Sequence, residues 1–449
     1  MTKPSRDAKV ISHSQIPDGQ GFVRLLLDEG RFWIHRYASR GRVNNFVSEF
    51  EFQDKSGRSS LKPIDETTGK SIVERIAKGF NYSSAFLFSE INSKNYQIPM
   101  QRSESEHKYT STGIKFWRHK SNLENYRNHN PETVISTHIS PEGACNLKCP
   151  YCSVTYRDTF SRLPLDTIKD YTDKLLSRGL KAVILTGGGE PTVYKQFNEL
   201  VKFLKSNGLE IALITNGTQT HRVAEEVWSM FEWVRVSINL FDNWQEKISL
   251  PIQHIDKSKT TIGCSMVYTA EHESVEVDRE RLNYLREVSA VADKVGAEYV
   301  RMLPNCLLDQ ENLLKAHQSL EITLKELNDP RFFHQFKVHG APKTSVCHQS
   351  YFRPYLSEEP FNGEPGAVYP CDSVVLNKSF QHFEKKYQIC HAKDILDYLD
   401  RNIEHQFNAR EDCEGCVFTS NVNLLDDFVT VGTQRFDEFS NPIKHENFV

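Results

Sequence analysis

Residues 182–217 read AVILTGGGEPTVYKQFNELVKFLKSNGLEIALITNG. The apolar run Ala182–Thr186 predicts a short buried strand that empties into three consecutive glycines. Phe197, Leu200, Val201 and Leu204 then fall at i, i+3, i+4 and i+7, which lines one face of a helix over Lys195–Asn207. Gly208 is placed to stop that helix, and Glu210–Thr215 reads as the next strand. A strand, a helix and a second strand in so short a span predict a parallel β/α unit.

The same rhythm extends in both directions. Upstream, Thr133–Ile139 reads as a first strand and Asp166–Arg178 as a helix closed by Gly179. Downstream, helix Thr220–Phe231, strand Trp233–Asn239, strand Thr261–Val267, helix Arg279–Val295 and strand Glu298–Leu303 complete six units. Six are too few for an eight-stranded barrel, so the fold class expected is α/β, an open, partial (β/α)6 barrel. In parallel architectures of this kind ligands gather at the C-terminal ends of the strands. Before this core, Gly21–Leu27, Arg31–Tyr37 and Phe46–Phe52 read as strands, Lys70–Lys78 as a helix, and the polar stretch Gln101–Thr112 as a linker. The expected division is an α+β N-terminal accessory region over 1–130, a core over 131–330 and a small C-terminal domain over 331–449.

The composition is that of a globular chain: 449 residues, 38% hydrophobic, 25% charged, net charge −4. No global positive field draws it to nucleic acid. The charge is uneven, because residues 1–130 hold 21 Lys and Arg against 14 Asp and Glu, leaving −11 for the remainder. A basic segment suits an acidic partner, and equally a solvated surface. The polar start MTKPSRDAKVISHSQ lacks the apolar stretch of a secretory signal. No apolar run approaches the roughly 20 residues that cross a bilayer. A cytoplasmic chain is expected, and its ten cysteines then favour metal or redox chemistry over disulfides.

Cys145, Cys149 and Cys152 follow the first strand at CxxxCxxC spacing. Three thiolates so spaced can wrap one corner of a cubane and ligate three of four irons, leaving the fourth iron open to chemistry. A zinc site is the alternative, although it needs a fourth close ligand; His138 is the nearby candidate. Gly187-Gly188-Gly189-Glu190-Pro191 ends the second strand. Phosphate loops also use glycines there, but this turn lacks the lysine of a P-loop.

Over roughly Thr133 to Asn305 these motifs resemble the radical S-adenosylmethionine (SAM) superfamily. Cys145, Cys149 and Cys152 match its CxxxCxΦC motif with Tyr151 as the aromatic, and Gly188, Gly189, Glu190 and Pro191 match its GGEP-type motif. The resemblance implies a [4Fe–4S] cluster on the three cysteines that cleaves SAM, with the GGEP segment binding the SAM amino group. Thr215-Asn216-Gly217 is also familiar from this group. Period-two alternation puts Ser237 and Asn239 on one face of the fourth strand, where relatives hold the SAM ribose and carboxylate; ordinary strand-end bonding is the alternative. Arg301 on the sixth strand is a candidate for SAM or substrate contact, or for a structural ion pair.

Cys347, Cys371, Cys413 and Cys416 form a second set, Cys-x18-Gly-x4-Cys followed by Cys-x2-Cys, with Gly366 as the glycine. It resembles the auxiliary-cluster domain called twitch, the shorter relative of SPASM. The first gap is longer than usual and the Cx2Cx5Cx3C block is absent, which implies one auxiliary [4Fe–4S] cluster; a four-cysteine zinc site is the alternative. Cys264 reads as a core residue and Cys390 as a spare. Cys306, just past the sixth strand, is a candidate hydrogen donor or substrate-binding thiol, or a buried structural one.

The function expected is radical modification of an unactivated C–H position, first in a ribosomally made peptide gripped by residues 1–130. The alternative is conversion of a small molecule such as a sugar or nucleotide. A flavodoxin- or ferredoxin-type electron donor is implied, with no membrane or nucleic-acid partner. An iron–sulfur electron carrier is the non-enzymatic reading, but a carrier has no use for Gly188–Pro191 or an open iron.

Overall fold

The computed structural model describes the chain from Glu104 onward except for 112, 155–156, 269–278, 338–339, 377–384, 414 and 432–442, together with strands between Val10 and Pro63. Those strands, Val10–Ile16, Phe22–Leu27, Gly30–His35, Glu49–Gln53 and Ser59–Pro63, pair antiparallel in sequence order. The three N-terminal strand expectations fall on them; the helix expected over Lys70–Lys78 lies outside the described residues. The expected linker is in part a helix, Glu104–Tyr109. Its polarity is used up in fastening: the Glu106 carboxylate accepts the Phe336 N–H at 3.2 Å, and Tyr109 stacks on Tyr299 at 4.0 Å.

From Ser136 onward the chain builds one ten-stranded sheet. Its spatial order is 332–334, 299–304, 261–268, 231–237, 210–215, 182–185, 136–139, 355–356, 367–369 and 390–391. The first eight run parallel and the last two join antiparallel. All six expected strands are present, in sequence order along the sheet. The protein is therefore α/β with a parallel sheet. The addition at the near edge comes from beyond residue 330, where Tyr355 and Leu356 pair with His138 and Ile139.

Alternation decides what each sheet face buries. Val183, Leu185, Leu213, Val234, Val236 and Val300 face the helices and join the main core, along with Cys264, which is fully buried. Helix Phe197–Ser206 lays Phe197, Leu200, Val201 and Leu204 against it, each worth about 1.5–3 kcal/mol of burial. On the opposite face Ala182, Ile184, Ala212 and Trp233 form a separate small cluster with Phe448. The main core also takes in Leu356, Val368, Tyr398 and Phe428, so residues on both sides of position 330 share it.

One expected helix is absent. Thr220–Phe231 forms two 3-10 turns, Thr220–Arg222 and Glu225–Met230, and Phe231 already belongs to the fourth strand. Asn198 causes the break: its amide accepts the Ala224 N–H at 3.0 Å and donates to the Arg222 carbonyl at 3.2 Å, holding Val223 and Ala224 extended between the turns. Among the described residues no helix is long and apolar enough to cross a membrane.

Candidate functional site

The three N-terminal cysteines lie on the loop after strand Ser136–Ile139, all half-buried. The Cys152 N–H closes a turn onto the Cys149 carbonyl at 3.1 Å, and the Leu147 N–H points at Cys145 Sγ at 3.4 Å. Arg157 reaches back over the loop, donating to the Gly143 carbonyl at 2.8 Å, the Val154 carbonyl at 2.9 Å and Cys152 Sγ at 3.6 Å. Burial, then the two neighbouring thiols, pushes Cys149 up to about 11; burial chiefly raises Cys145.

The glycine loop packs on that cysteine loop, backbone against backbone. The Gly189 N–H donates to the Glu142 carbonyl and the Glu190 N–H to the Ala144 carbonyl, both at 2.9 Å. A Cβ on Gly189 would collide with those same two carbonyls. The Gly188 N–H donates to Ser140 Oγ at 2.7 Å. Glycine is thus needed here for close approach to protein backbone.

Glu190 is buried and fully engaged. One oxygen accepts from the Thr192 N–H at 3.2 Å, the Thr192 hydroxyl at 2.7 Å and the Thr215 hydroxyl at 2.6 Å; the other accepts the Asn216 N–H at 2.7 Å. Asn216 in turn donates to Asn146 Oδ1 at 2.9 Å and approaches Cys145 Sγ at 3.9 Å. A continuous chain of bonds therefore runs from Glu190 through Asn216 to the first cysteine. Its carboxylate positions the loop that carries the thiols, and Thr215-Asn216-Gly217 is the link.

Tyr151 donates to Asn239 Oδ1 at 3.2 Å, and Asn239 donates to the Ser237 carbonyl at 3.2 Å. The fourth strand's end is thereby tied to the cysteine loop. Arg301, in register with Ser237 through Ser265, lines a cavity on the sheet face opposite the helices, with Nε unpartnered. Cys306 is buried and donates to the Pro304 carbonyl at 3.5 Å. Arg301 and Lys337 oppose the upward push that burial gives this thiol.

Cys347, Cys371, Cys413 and Cys416 meet in one cluster walled by Tyr355, Tyr369, Tyr387, Phe407 and Phe418. Burial pushes Cys347 up to about 12; burial and then Asp372 raise Cys371 well above its ordinary value, and burial and then Cys416 raise Cys413. Cys390 sits apart, in the main core. Among the described residues no three His, Cys, Asp or Glu side chains converge closely enough to hold a single metal ion. Gly366, at φ +124°, turns the chain between Pro365 and Ala367 in a conformation open to glycine.

Sequence reasoning missed Asn146, Arg157 and Glu358. Glu358 is wholly buried against Gly188 and Ser357, one oxygen unpartnered, and burial pushes it up to about 7. Arg157 lies five residues past Cys152 and could have been marked by that proximity. Glu358 carries no such signal, being 170 residues from the loop it touches.

Comparison with known proteins places the motifs. The family model described as Radical SAM superfamily matches residues 139–259. An S-adenosylmethionine-dependent nucleotide dehydratase from Lacinutrix mariniflava is 27% identical over 128 residues, covering 27% of each chain. A GTP 3',8-cyclase from Helicobacter pylori is 28% identical over 130 residues, 28% of this chain and 40% of that protein. A 7-carboxy-7-deazaguanine synthase from Haemophilus influenzae is 39% identical over 75 residues, 17% of this chain and 33% of that one. The chain thus spans well under half the length of these relatives. Among solved structures, Streptococcus suis SuiB bound to precursor peptide SuiA is similar over 86% of this chain and 88% of that one, at 13% identity and a TM-score of 0.42.

Proposed function

We propose that this chain, an enzyme whose residues 139–259 form a radical SAM domain, holds a [4Fe–4S] cluster on Cys145, Cys149 and Cys152 and uses SAM to attack an unactivated C–H bond of a small substrate. The observation that carries the reading is the bond chain from Glu190 through Asn216 to Cys145, which binds the glycine loop and the cysteine loop into one unit at the strand ends. When bound, cluster and SAM supply reductive cleavage, in which one electron from a flavodoxin- or ferredoxin-type donor breaks the carbon–sulfur bond to give methionine and a hydrogen-abstracting 5′-deoxyadenosyl radical. The chain's own residues hold the cluster, orient SAM and keep water out. Arg157 and the Leu147 N–H offset thiolate charge; Tyr151, Ser237 and Asn239 form the rim for SAM; Gly188 and Gly189 let the glycine loop pack closely on its neighbours. The sheet is read as a partial (β/α)6 barrel whose inner face receives substrate. Cys306, buried just past the sixth strand, is the candidate hydrogen-donating or substrate-binding thiol.

We read Cys347, Cys371, Cys413 and Cys416 as the ligands of one auxiliary [4Fe–4S] cluster in a twitch-like region over 331–449. The inner face beside them is narrow and cationic, which suits a small anionic molecule better than a peptide, and two of the curated relatives named above are by name a nucleotide dehydratase and a GTP cyclase. The peptide reading rests on the basic charge of residues 1–130, most of whose residues fall outside the described structure. Anaerobic reconstitution should load about eight irons, two four-iron clusters. Replacing Cys145, Cys149 and Cys152 together by Ala should leave about four and abolish 5′-deoxyadenosine release, followed by chromatography after dithionite reduction. Release of that product by the triple variant would remove these cysteines from the reaction.

A further inference from the structure

The cavity on the sheet face opposite the helices has a wall of unusual charge. Arg235 and Arg301 enter it from the fourth and sixth strands, Lys337 follows strand Phe332–His334, and Arg353 precedes strand Tyr355–Leu356. Lys108 and Lys115 complete six basic side chains, against which Asp372 is the single carboxylate. Asp372 is already committed, lying 3.2 Å from Arg353 Nη2 and 3.6 Å from His138 Nδ1. Lys115 is satisfied by the His445 and Phe448 carbonyls.

Arg353 also donates to the Val449 carbonyl at 2.9 Å, but several other polar atoms of the cavity have no partner. Nε of Arg235, Arg301 and Arg353, both ring nitrogens of His138 and Oε1 of Gln335 are buried without a hydrogen bond. These make six of the twelve such side-chain atoms among the described residues, and all six belong to residues of this one cavity. Arg235, His138, Gln335 and Arg353 are each more than nine-tenths buried. Chance burial scatters such orphans; convergence on one space marks groups whose partner is a ligand. The pressure is visible in Arg301, which burial and then Arg235 depress to about 9. Stacking of Arg235 on Trp233 at 5.2 Å and of Arg353 on Phe418 at 4.7 Å fixes the guanidinium planes without neutralising them.

We infer that this cavity is a phosphate site, the seat of the phosphate group of a small phosphorylated substrate. The cavity is partly open, and its space is about 60 Å³. At roughly 10–15 Å³ for each water-sized group, that admits a handful of heavy atoms, the size of one phosphate and not of a peptide segment. Cations arriving from separate strands match a tetrahedral anion, whose oxygens diverge, better than a flat carboxylate. The inference rests on the radical SAM reading in that it makes the sheet's inner face the substrate face. It also gives Arg301 a role toward substrate.

Equilibrium dialysis of the reconstituted full chain with radiolabelled inorganic phosphate at constant ionic strength tests it. Wild type should bind about one phosphate saturably, ribose 5-phosphate should displace it, and ribose and acetate should not. Arg235→Met and Arg301→Met should each weaken binding at least tenfold. Their thermal midpoints in phosphate-free buffer should hold or rise, because a buried like-charge repulsion is removed; a structural arginine would lower them. If a Met variant does not fold, the corresponding Lys variant, which keeps charge but loses the fork, should still weaken binding. Absent saturable phosphate binding, equal displacement by acetate, or variants that bind as wild type overturn the site. SAM cleavage without substrate is scored separately on wild type. Cleavage without phosphate binding sinks this inference alone, and phosphate binding without cleavage sinks the radical reading and leaves the anion site standing.

Discussion

Glu190 and Glu358 are buried carboxyls on loops that meet at Gly188; burial raises both, and Glu190 has the fuller set of hydrogen bonds opposing that push. Glu190 accepts four hydrogen bonds and serves as a fixed anchor. Glu358 keeps one oxygen without a partner, and burial holds its carboxyl up to about 7. Its folded-state value therefore lies above the unfolded one, so the folded chain keeps a proton that the unfolded chain releases. Stability from this group is full below the unfolded value, is lost as pH rises to about 7, and is level above that. A shift of this size corresponds to ~3 kcal/mol. Glu358→Gln should remove the slope, raising the urea midpoint at pH 8 while leaving it nearly unchanged at pH 4. Equal pH slopes in wild type and variant would assign the proton elsewhere. Nothing local to Ser357-Glu358-Glu359 announces this in the sequence, because the burying partner is the glycine loop.

Elements were legible where periodicity was strong and opaque where long-range contacts decided. Strands Ala182–Leu185 and Glu210–Thr215 and helix Arg279–Val295 follow from their apolar patterns. The segment 220–230 carries helical-looking residues, yet Asn198 from the preceding helix breaks it into two turns. Helix Glu104–Tyr109 hides in a polar stretch because its stabilising contacts, Phe336 and Tyr299, lie far along the chain. The cysteine spacing and glycine run were readable as chemistry, but the cavity cations were not, since each comes singly from a different strand or loop. The glycine loop itself gives an element-scale prediction. Gly189→Ala forces a methyl into the Ala144 and Glu142 carbonyls, so the two loops must part. The cost is about 1–3 kcal/mol. Iron bound by the N-terminal cysteines should fall by more than half while far-UV circular dichroism stays that of wild type. Full iron retention would mean the loops need not touch to hold the cluster.

At the scale of the whole molecule, where the N-terminal region stops matters more than its charge. A boundary at 130 or a linker ending at Thr112 both follow from composition, but the side chains of Glu106, Tyr109 and Lys115 belong to the body of the protein. Glu106 is tied to Phe336, Tyr109 lies on Tyr299, and the Lys115 ammonium fastens the carbonyls of His445 and Phe448. Tyr109 and Thr110 also line the cavity that holds Arg235 and Arg301. Two truncations separate the functions of these stretches. Removal of residues 1–100 should leave substrate-free SAM cleavage within a few-fold of wild type, since none of those contacts is touched. Removal of 1–112 takes away a buried carboxylate bond and an aromatic stack, a loss of about 2–5 kcal/mol, and uncovers the cationic cavity. Its urea midpoint should drop clearly and phosphate binding should weaken with it. The shorter cut also tests the peptide reading, because a basic module that grips a leader would take with it the modification of leader-bearing peptides and nothing else. If the 1–100 truncation turns over a phosphorylated small molecule as wild type does, residues 1–100 serve some purpose outside the reaction. If it cleaves SAM but loses every substrate, the N-terminal region is the substrate-holding part and the small-molecule reading gives way.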